Sequence, residues 1–259
     1  MELVFMGTGT SLGVPVIGVK KHFCDLANPK NWRTRTCAHV IMDGVHIQID
    51  VSPEFRLQCI WNEINWIDFV ILTHGHSDHV MGMDDLRSFS AMKDGEAMLI
   101  YSCEDGLQRL RDSFAYAILD RPLITGYPAF KPLDMPNKLQ LPCGTICSTL
   151  LPHGTFEVLG LIFQEKSTGK KLAYYTDCHE VTPTALDLAK GTDVLVLDAL
   201  RHQPHNSHLT IDQATAISQR VGAKQTYFTH MSQWVDYDTV NRNLPDKIEL
   251  AYDGLRVNF

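Results

Sequence analysis

The chain has no apolar run near the roughly 18 residues that carry a helix across a bilayer, no C-x-x-C pair, no Gly/Ser linker and no low-complexity tract. Each absence removes a class of protein. Without a long apolar run, no membrane-spanning helix is expected. The opening stretch MELVFMGTGTSLG places no basic segment ahead of an apolar one, so no secretory leader is expected either. The seven cysteines are odd in number and lack paired spacing, which reads as a reduced, cytoplasmic protein rather than a disulfide framework. Positive charge is also short, with 23 Lys+Arg against 30 Asp+Glu and a net charge of −7. Affinity for nucleic acid is largely phosphate neutralisation, so this balance argues against stable nucleic-acid binding. With no repeat or linker to divide them, residues 1–259 read as one domain, large enough to bury a full core.

What the sequence does have is short apolar strands punctuated by turns. Leu3–Met6 ends in the loop Gly-Thr-Gly-Thr-Ser-Leu-Gly. His39–Met42 and Val45–Asp50 flank Asp43-Gly44, a strong short hairpin signal. Phe69–Thr73 is a continuous apolar strand of the buried kind that runs straight into His74. Leu107, Leu110, Phe114 and Ile118 recur every three or four residues and predict an amphipathic helix over 104–120. The five prolines of 121–142 predict an ordered loop, either a lid or dimer contact or plain packing. Further strands fit Leu159–Gln164, Lys171–Tyr175 and Val194–Leu197. Helices fit Thr182–Ala189 and Ile211–Val221, the second capped by Thr210 and stopped by Gly222. Together these predict an α/β protein in which two sheets are covered by helices.

Histidine is abundant, with 12 in the chain, and its grouping carries the chemistry. His74-Gly75-His76-Ser77-Asp78-His79 follows the buried strand directly. Four side chains able to bind metal fall on one turn, and imidazole with carboxylate suits zinc, manganese or iron. This motif resembles that of the metallo-β-lactamase fold hydrolases, whose architecture is a four-layer αββα sandwich. The later ligands of that family have counterparts in order: His153 in Leu-Pro-His-Gly, Asp177 in Tyr-Tyr-Thr-Asp and His230 in Tyr-Phe-Thr-His. The resemblance implies two divalent metal ions, zinc or manganese. His74, His76 and His153 would hold the first, Asp78, His79 and His230 the second, with Asp177 bridging. His76 stands where the di-iron flavoproteins of this fold carry Glu, and the true β-lactamases lack a counterpart of His79; both point to paired-metal hydrolysis.

A narrower resemblance is to the cyclic phosphodiesterase of the phosphonate carbon–phosphorus lyase pathway and its relatives. It rests on the loop Gly7–Pro15, the segments Asp50–Arg56 and Gly82–Arg87, and the closing Ala-Tyr-Asp-Gly-Leu of Ala251–Leu255. The resemblance implies that backbone N–H groups of the first loop and Ser11 border a substrate phosphate. Arg56 and Arg87 are expected in structural ion pairs. Those relatives hold a separate structural zinc, but the matching positions here are Val19, Lys21, Cys24 and Gln233. Three of the four ligands are replaced, so no structural zinc is expected. The family's phosphate-contacting histidine precedes a helix; counting back from Thr210 gives His208 first and His205 second. His202 is expected as an exposed loop residue, and His22, His39 and His46 as structural or exposed.

The implied reaction is hydrolysis of a small cyclic or nucleotide-like phosphodiester. Two ions about 3.5–4 Å apart would share a bridging water and lower its pKa. Asp78 would orient the resulting hydroxide, and His208 would stabilise the developing charge or protonate the departing oxygen. A thioesterase or lactonase of the glyoxalase II type shares these ligands and stays open, as does ribonuclease Z-like processing, although no protruding basic arm is present. Relatives often dimerise, which leaves a homodimer open.

Overall fold

Strand residues that are apolar at every position must bury both faces, and that requirement sets the architecture. The computed structural model describes residues 1–259 except 123 and 125. The elements run, in chain order, β1 (Glu2–Gly7), β2 (Cys37–Met42), β3 (Val45–Ile49), α1 (Phe55–Trp61), β4 (Phe69–Ile71), α2 (Ser77–Val80), α3 (Arg87–Met92) and β5 (Met98–Ser102). They continue with α4 (Glu104–Ser113), β6 (Phe130–Asp134), β7 (Lys138–Leu141), β8 (Gly144–His153), β9 (Phe156–Glu165) and β10 (Lys171–Tyr175). The last are α5 (Pro183–Ala189), β11 (Val194–Asp198), α6 (Ile211–Val221), β12 (Gln225–Thr229), α7 (Tyr237–Asn241), β13 (Ile248–Leu250) and β14 (Leu255–Asn258).

The strands form two seven-stranded sheets, ordered β14-β1-β2-β3-β4-β5-β6 and β13-β12-β11-β10-β9-β8-β7. In β1, Leu3 and Phe5 enter the core between the sheets while Val4 and Met6 lie in the core under the first helical layer. In β11, Val194 and Val196 share that central core while Leu195 and Leu197 face the second helical layer. Period-two alternation of two apolar sets is what a buried strand of an α/β sandwich requires, and the result is the αββα order of layers.

The hairpin at Asp43-Gly44 turns through φ 46° and 80°, the left-handed pair that a tight two-residue turn needs. Helix α6 begins with a Thr210–Gln213 capping box and ends at Gly222, φ 68°. Two expectations are corrected. The predicted helix over 104–120 stops at Ser113; Phe114 stays buried against Phe130, ring centroids 6.2 Å apart, after the backbone has left the helix. The apolar spacing therefore outlasts the helix that it predicted. The predicted loop 121–142 contains β6 and β7. Each is the outer strand of its sheet, where Pro132 and exposed alternate residues are tolerated. Part of that predicted loop, Leu123 and Thr125, lies outside the described residues.

In both sheets the outer half is antiparallel and the rest parallel; β4, β10, β11 and β12 all have parallel neighbours. Open parallel sheets place ligand sites beyond the carboxyl ends of such strands, and the histidine-rich segments begin there.

Candidate metal centre

His74 leaves the end of β4, and His76 to His79 wrap into α2. Gly75 lets the chain pass: a Cβ there would lie 2.9 Å from Asp105 Oδ2. His153 ends β8, Asp177 follows β10 and His230 follows β12. These residues, distant in sequence, form two groups whose ligand-capable atoms lie within 4.8 Å of one another: His74, His76 and His153; and Asp78, His79, Asp177 and His230. Asp177 Oδ2 reaches across, 3.1 Å from His79 Nε2, 3.2 Å from His230 Nε2 and 3.8 Å from His74 Nε2.

The tautomers follow from what the other ring nitrogens touch. Asp50 Oδ2 takes the Nδ1–H of His79 at 2.7 Å. Asp50 also accepts from the Thr73 amide at 2.7 Å and hydroxyl at 2.8 Å, and that hydroxyl lies 3.0 Å from His74 Nδ1. His153 Nδ1 donates to the Ser207 carbonyl at 2.9 Å. In the neutral rings each Nε2 is thereby left as a lone pair facing inward. His74, His79 and His230 Nε2 are buried without a hydrogen-bond partner among the described residues. His153 Nε2 and His76 Nδ1 face one another at 3.3 Å.

Converging lone pairs of this kind fit a cation, and five imidazoles with two carboxylates fit a divalent metal of the zinc or manganese type. Electrostatics agree. Burial holds His74 well below the usual histidine range and His153 down at about 4, so both favour the neutral, ligating form. Burial opposes charge on Asp177, yet His230 and His79 hold its carboxyl well below the carboxylate range. Burial likewise opposes a proton on His79, but Asp177, Asp78 and Asp50 push it up. A proton on His79 balances the carboxylates, and a metal ion would take its place.

His208 sits at the rim, its ring 4.7 Å from that of His230 and 4.9 Å from that of His153. Its Nδ1 bonds Asp198 Oδ2 at 2.6 Å, which leaves Nε2 free. Burial pushes Asp198 up and His208 down, so burial opposes charge on both partners of this hydrogen bond. His205 is exposed, its ring 5.1 Å from that of His208. Asp50 and Asp198 were not assigned roles from the sequence. The available signal was an acidic residue at or just past the end of a buried strand, as in Val-Leu-Val-Leu-Asp198.

Other expected residues fall as follows. Ser11 shares a cleft with His208. Arg87 pairs with Asp84, as expected. Arg56 does not pair: it is exposed on α1 without a carboxylate partner among the described residues, and the nearby Glu54 is taken by Arg35. His22 Nε2 accepts from the Val16 amide, His39 is buried against Gln48 and His46, and His202 is exposed. Where a structural zinc was judged absent, the Cys24 amide donates to the Gln233 carbonyl, and buried Arg33 donates to the Ser232 and Val235 carbonyls.

Two helix-covered sheets with a His/Asp cluster at their strand ends define a hydrolase of the metallo-β-lactamase class. The sequence model of the beta-lactamase superfamily domain matches residues 46–231, and the chain belongs to that superfamily. Within it the chain groups with the PhnP family: the crystal structure of a diphosphatase from that family superposes with a TM-score of 0.89 at 33% identity, covering 100% of this chain and 97% of that one. A protein of Porphyromonas gingivalis named octanoyltransferase is 32% identical over 98% of this chain but only 51% of its own length, so the chain spans about half of that relative. Zinc-bound PqqB from Methylobacterium extorquens shares the fold, with a TM-score of 0.81 at 19% identity over the full length of both chains. Among the described residues no helix is long and apolar enough to cross a membrane.

Proposed function

We propose that this protein is a binuclear metal-dependent phosphodiesterase acting on a small phosphodiester. The carrying observation is the division of seven buried or half-buried side chains into two ligand groups that Asp177 adjoins, with the His208–Asp198 pair on the rim. His74, His76 and His153 would hold one ion, and Asp78, His79 and His230 the other. Bound divalent ions lower the pKa of a water and offset charge on phosphoryl oxygens. Asp78 orients the attacking water. As the water oxygen joins phosphorus and the ester P–O bond breaks, His208, protonated at both ring nitrogens in the complex, gives its Nε2 proton to the departing oxygen and keeps the Nδ1 proton toward Asp198. Asp198 steadies the ring and the charge it carries, and a proton released from the water restores His208.

The PhnP-family diphosphatase supports phosphoryl chemistry at this site, and a diphosphate diester is within the proposed class. The acyl chemistry in the name of the P. gingivalis relative belongs to a protein about twice as long. The seven free thiols support a reducing, cytoplasmic setting.

The test is hydrolysis of bis(p-nitrophenyl) phosphate by metal-stripped protein reloaded with zinc or manganese, beside a p-nitrophenyl monoester and a thioester. Metal-dependent diester turnover that is lost in His76→Ala, at two ions per chain, is expected. Thioester turnover without diester turnover would replace this reading with the thioesterase one.

A further inference from the structure

We propose that Asp105 and Arg109 are positioning residues of the metal centre: from α4 they clamp the peptide groups on either side of Gly75 and so hold His74 and His76 in their ligating poses. This rests on the assignment of His74, His76 and His153 as one ligand group.

Residues 74–76 belong to no helix or strand, so no ladder of backbone bonds holds them. The Gly75 N–H, in the peptide that joins it to His74, donates to Asp105 Oδ2 at 3.2 Å. The Gly75 carbonyl, in the peptide that joins it to His76, accepts from Arg109 Nε at 3.0 Å. Asp105 and Arg109 stand one helical turn apart and so share a face of α4. Between them the helix comes in close. A Cβ on Gly75 would lie 2.9 Å from Arg109 Cβ, and one on Gly106 would lie 3.5 Å from the His74 carbonyl carbon.

This close approach requires glycine at 75, and glycine loses more freedom on ordering than any other residue. Here it separates two ligands of one ion. Without a tether, the turn would have to be ordered each time the ion bound, and affinity would fall. His76 depends on the tether most. His79 is oriented by Asp50 and His153 by the Ser207 carbonyl. His76 Nε2 has no hydrogen-bond partner among the described residues, and its ring meets Phe156 edge-on with centroids 5.5 Å apart. An edge contact blocks one side of a ring but fixes neither nitrogen. The pose of His76 is therefore set through its backbone, where the clamp acts. Asp105 and Arg109 grip the chain between two ligands of the same group, so the ion of Asp78, His79 and His230 should not feel them.

The test is metal affinity, site by site, in the zinc-loaded full chain. A chelator competes for zinc in wild type, Asp105→Ala and Arg109→Ala; elemental analysis counts the ions retained, and ring ¹⁵N signals show which histidines still bind. Both side chains are exposed, so truncation leaves the core intact. Each alanine variant should release the ion of the His74 group about tenfold more readily, the low end of the effect of losing an orienting partner, and keep the other. The sign separates the clamp from simple charge. Asp105→Ala removes a negative charge and Arg109→Ala a positive one, so through-space electrostatics would shift affinity in opposite directions. Asp105→Asn keeps an oxygen for the Gly75 N–H, and Arg109→Gln keeps an N–H at the position of Nε, so both should recover wild-type affinity. Opposite shifts, wild-type affinity in either alanine variant, failure of either conservative variant to recover, or equal loss at both ions overturns the proposal. In the metal-stripped protein, exchange of the Gly75 amide hydrogen should be slow in wild type and fast in Asp105→Ala; equal rates overturn the proposal as well. Wild type that binds fewer than two ions would refute the binuclear reading, while the Gly75 amide would still decide the clamp.

Discussion

Asp50 is not itself a proposed metal ligand, yet its replacement should weaken both proposed sites. Its carboxylate accepts the Nδ1–H of His79 at 2.7 Å and the Thr73 hydroxyl at 2.8 Å, and that hydroxyl in turn lies 3.0 Å from His74 Nδ1. One buried carboxylate therefore fixes the tautomer of one histidine in each ligand group. Asp50→Asn keeps the shape and suits the backbone, since φ is 59° here and Asn tolerates that region. The new amide can still present its oxygen to the Thr73 N–H, but its NH₂ then faces the Thr73 hydroxyl and His79 Nδ1. His79 must become an acceptor at Nδ1 and carry its proton on Nε2, the nitrogen that faces Asp177. Loss of such an orienting partner costs about 10–100-fold in metal affinity, or roughly 1.4–2.7 kcal/mol.

The assay is competition with a chelator, with bound metal counted by elemental analysis and folding checked by circular dichroism in the metal-stripped state. Both sites should weaken in Asp50→Asn. Thr73→Val, which cuts only the relay to His74, should weaken the His74 group and spare the other. Burial already raises the Asp50 carboxyl above its ordinary range, so removing its charge should leave the metal-free fold intact. Wild-type affinity at both sites in a folded Asp50→Asn protein would refute the relay.

His208→Ala should lower diester turnover by about 10²–10⁴-fold with metal content unchanged, since its ring lies at the rim and its Nδ1 is bound to Asp198; unchanged turnover removes it from the reaction. Asp253 holds the first loop through four bonds of 2.6–2.9 Å from the amides and hydroxyls of Thr8 and Thr34. At about 1 kcal/mol net for each bond, Asp253→Ala should cost about 2–4 kcal/mol in denaturant unfolding, and a loss below 1 kcal/mol contradicts the pinning role. His39 is held by burial down at about 4, against roughly 6.5 in the unfolded chain. The unfolded state therefore binds the extra proton between those values. The stabilisation from neutral His39 is complete above pH 6.5 and lost as pH falls toward 4, a change of about 3 kcal/mol. Unfolding of metal-stripped wild type and His39→Gln across that range should show a slope steeper in wild type by the one proton of His39, the other buried histidines contributing equally to both; equal slopes contradict the assignment.

The motif His74 to His79 was legible because all of its donors sit on one turn. His153, Asp177 and His230 were legible only through order along the chain, since strand ends brought together by two sheets leave no local signature. Asp50 closed a stretch read as a strand and Asp198 directly followed one, and nothing local distinguishes a buried carboxylate that orients a histidine from one that ends a strand. The edge strands β6 and β7 were hidden for a different reason. A half-exposed edge strand needs neither continuous apolar residues nor every backbone N–H, so Pro132 and alternating polar residues erased the pattern that made β4 and β11 plain. Phe114 misled in the opposite sense: its burial depends on Phe130, which a helical count cannot see.

Asp50, Asp177 and His230 adopt left-handed φ values of 59°, 54° and 58°. Asp visits that region with modest strain, whereas His230 carries the full Cβ–carbonyl conflict, about 1–2 kcal/mol. All three stand within two residues of the end of a buried strand, β3, β10 or β12. A left-handed residue there turns the backbone abruptly, so the side chain crosses the strand ends instead of continuing along a sheet face. Leu172, Tyr174 and Phe228 are buried in the strands behind Asp177 and His230, with Val196 buried in β11 between them, and anchor those ends. The strain is thus carried by the sandwich core rather than by the site, which lets carboxylates and imidazoles converge before any cation offsets their charge. Regular strand geometry would keep these three side chains apart, and that is why they fall at irregular residues of an otherwise regular fold.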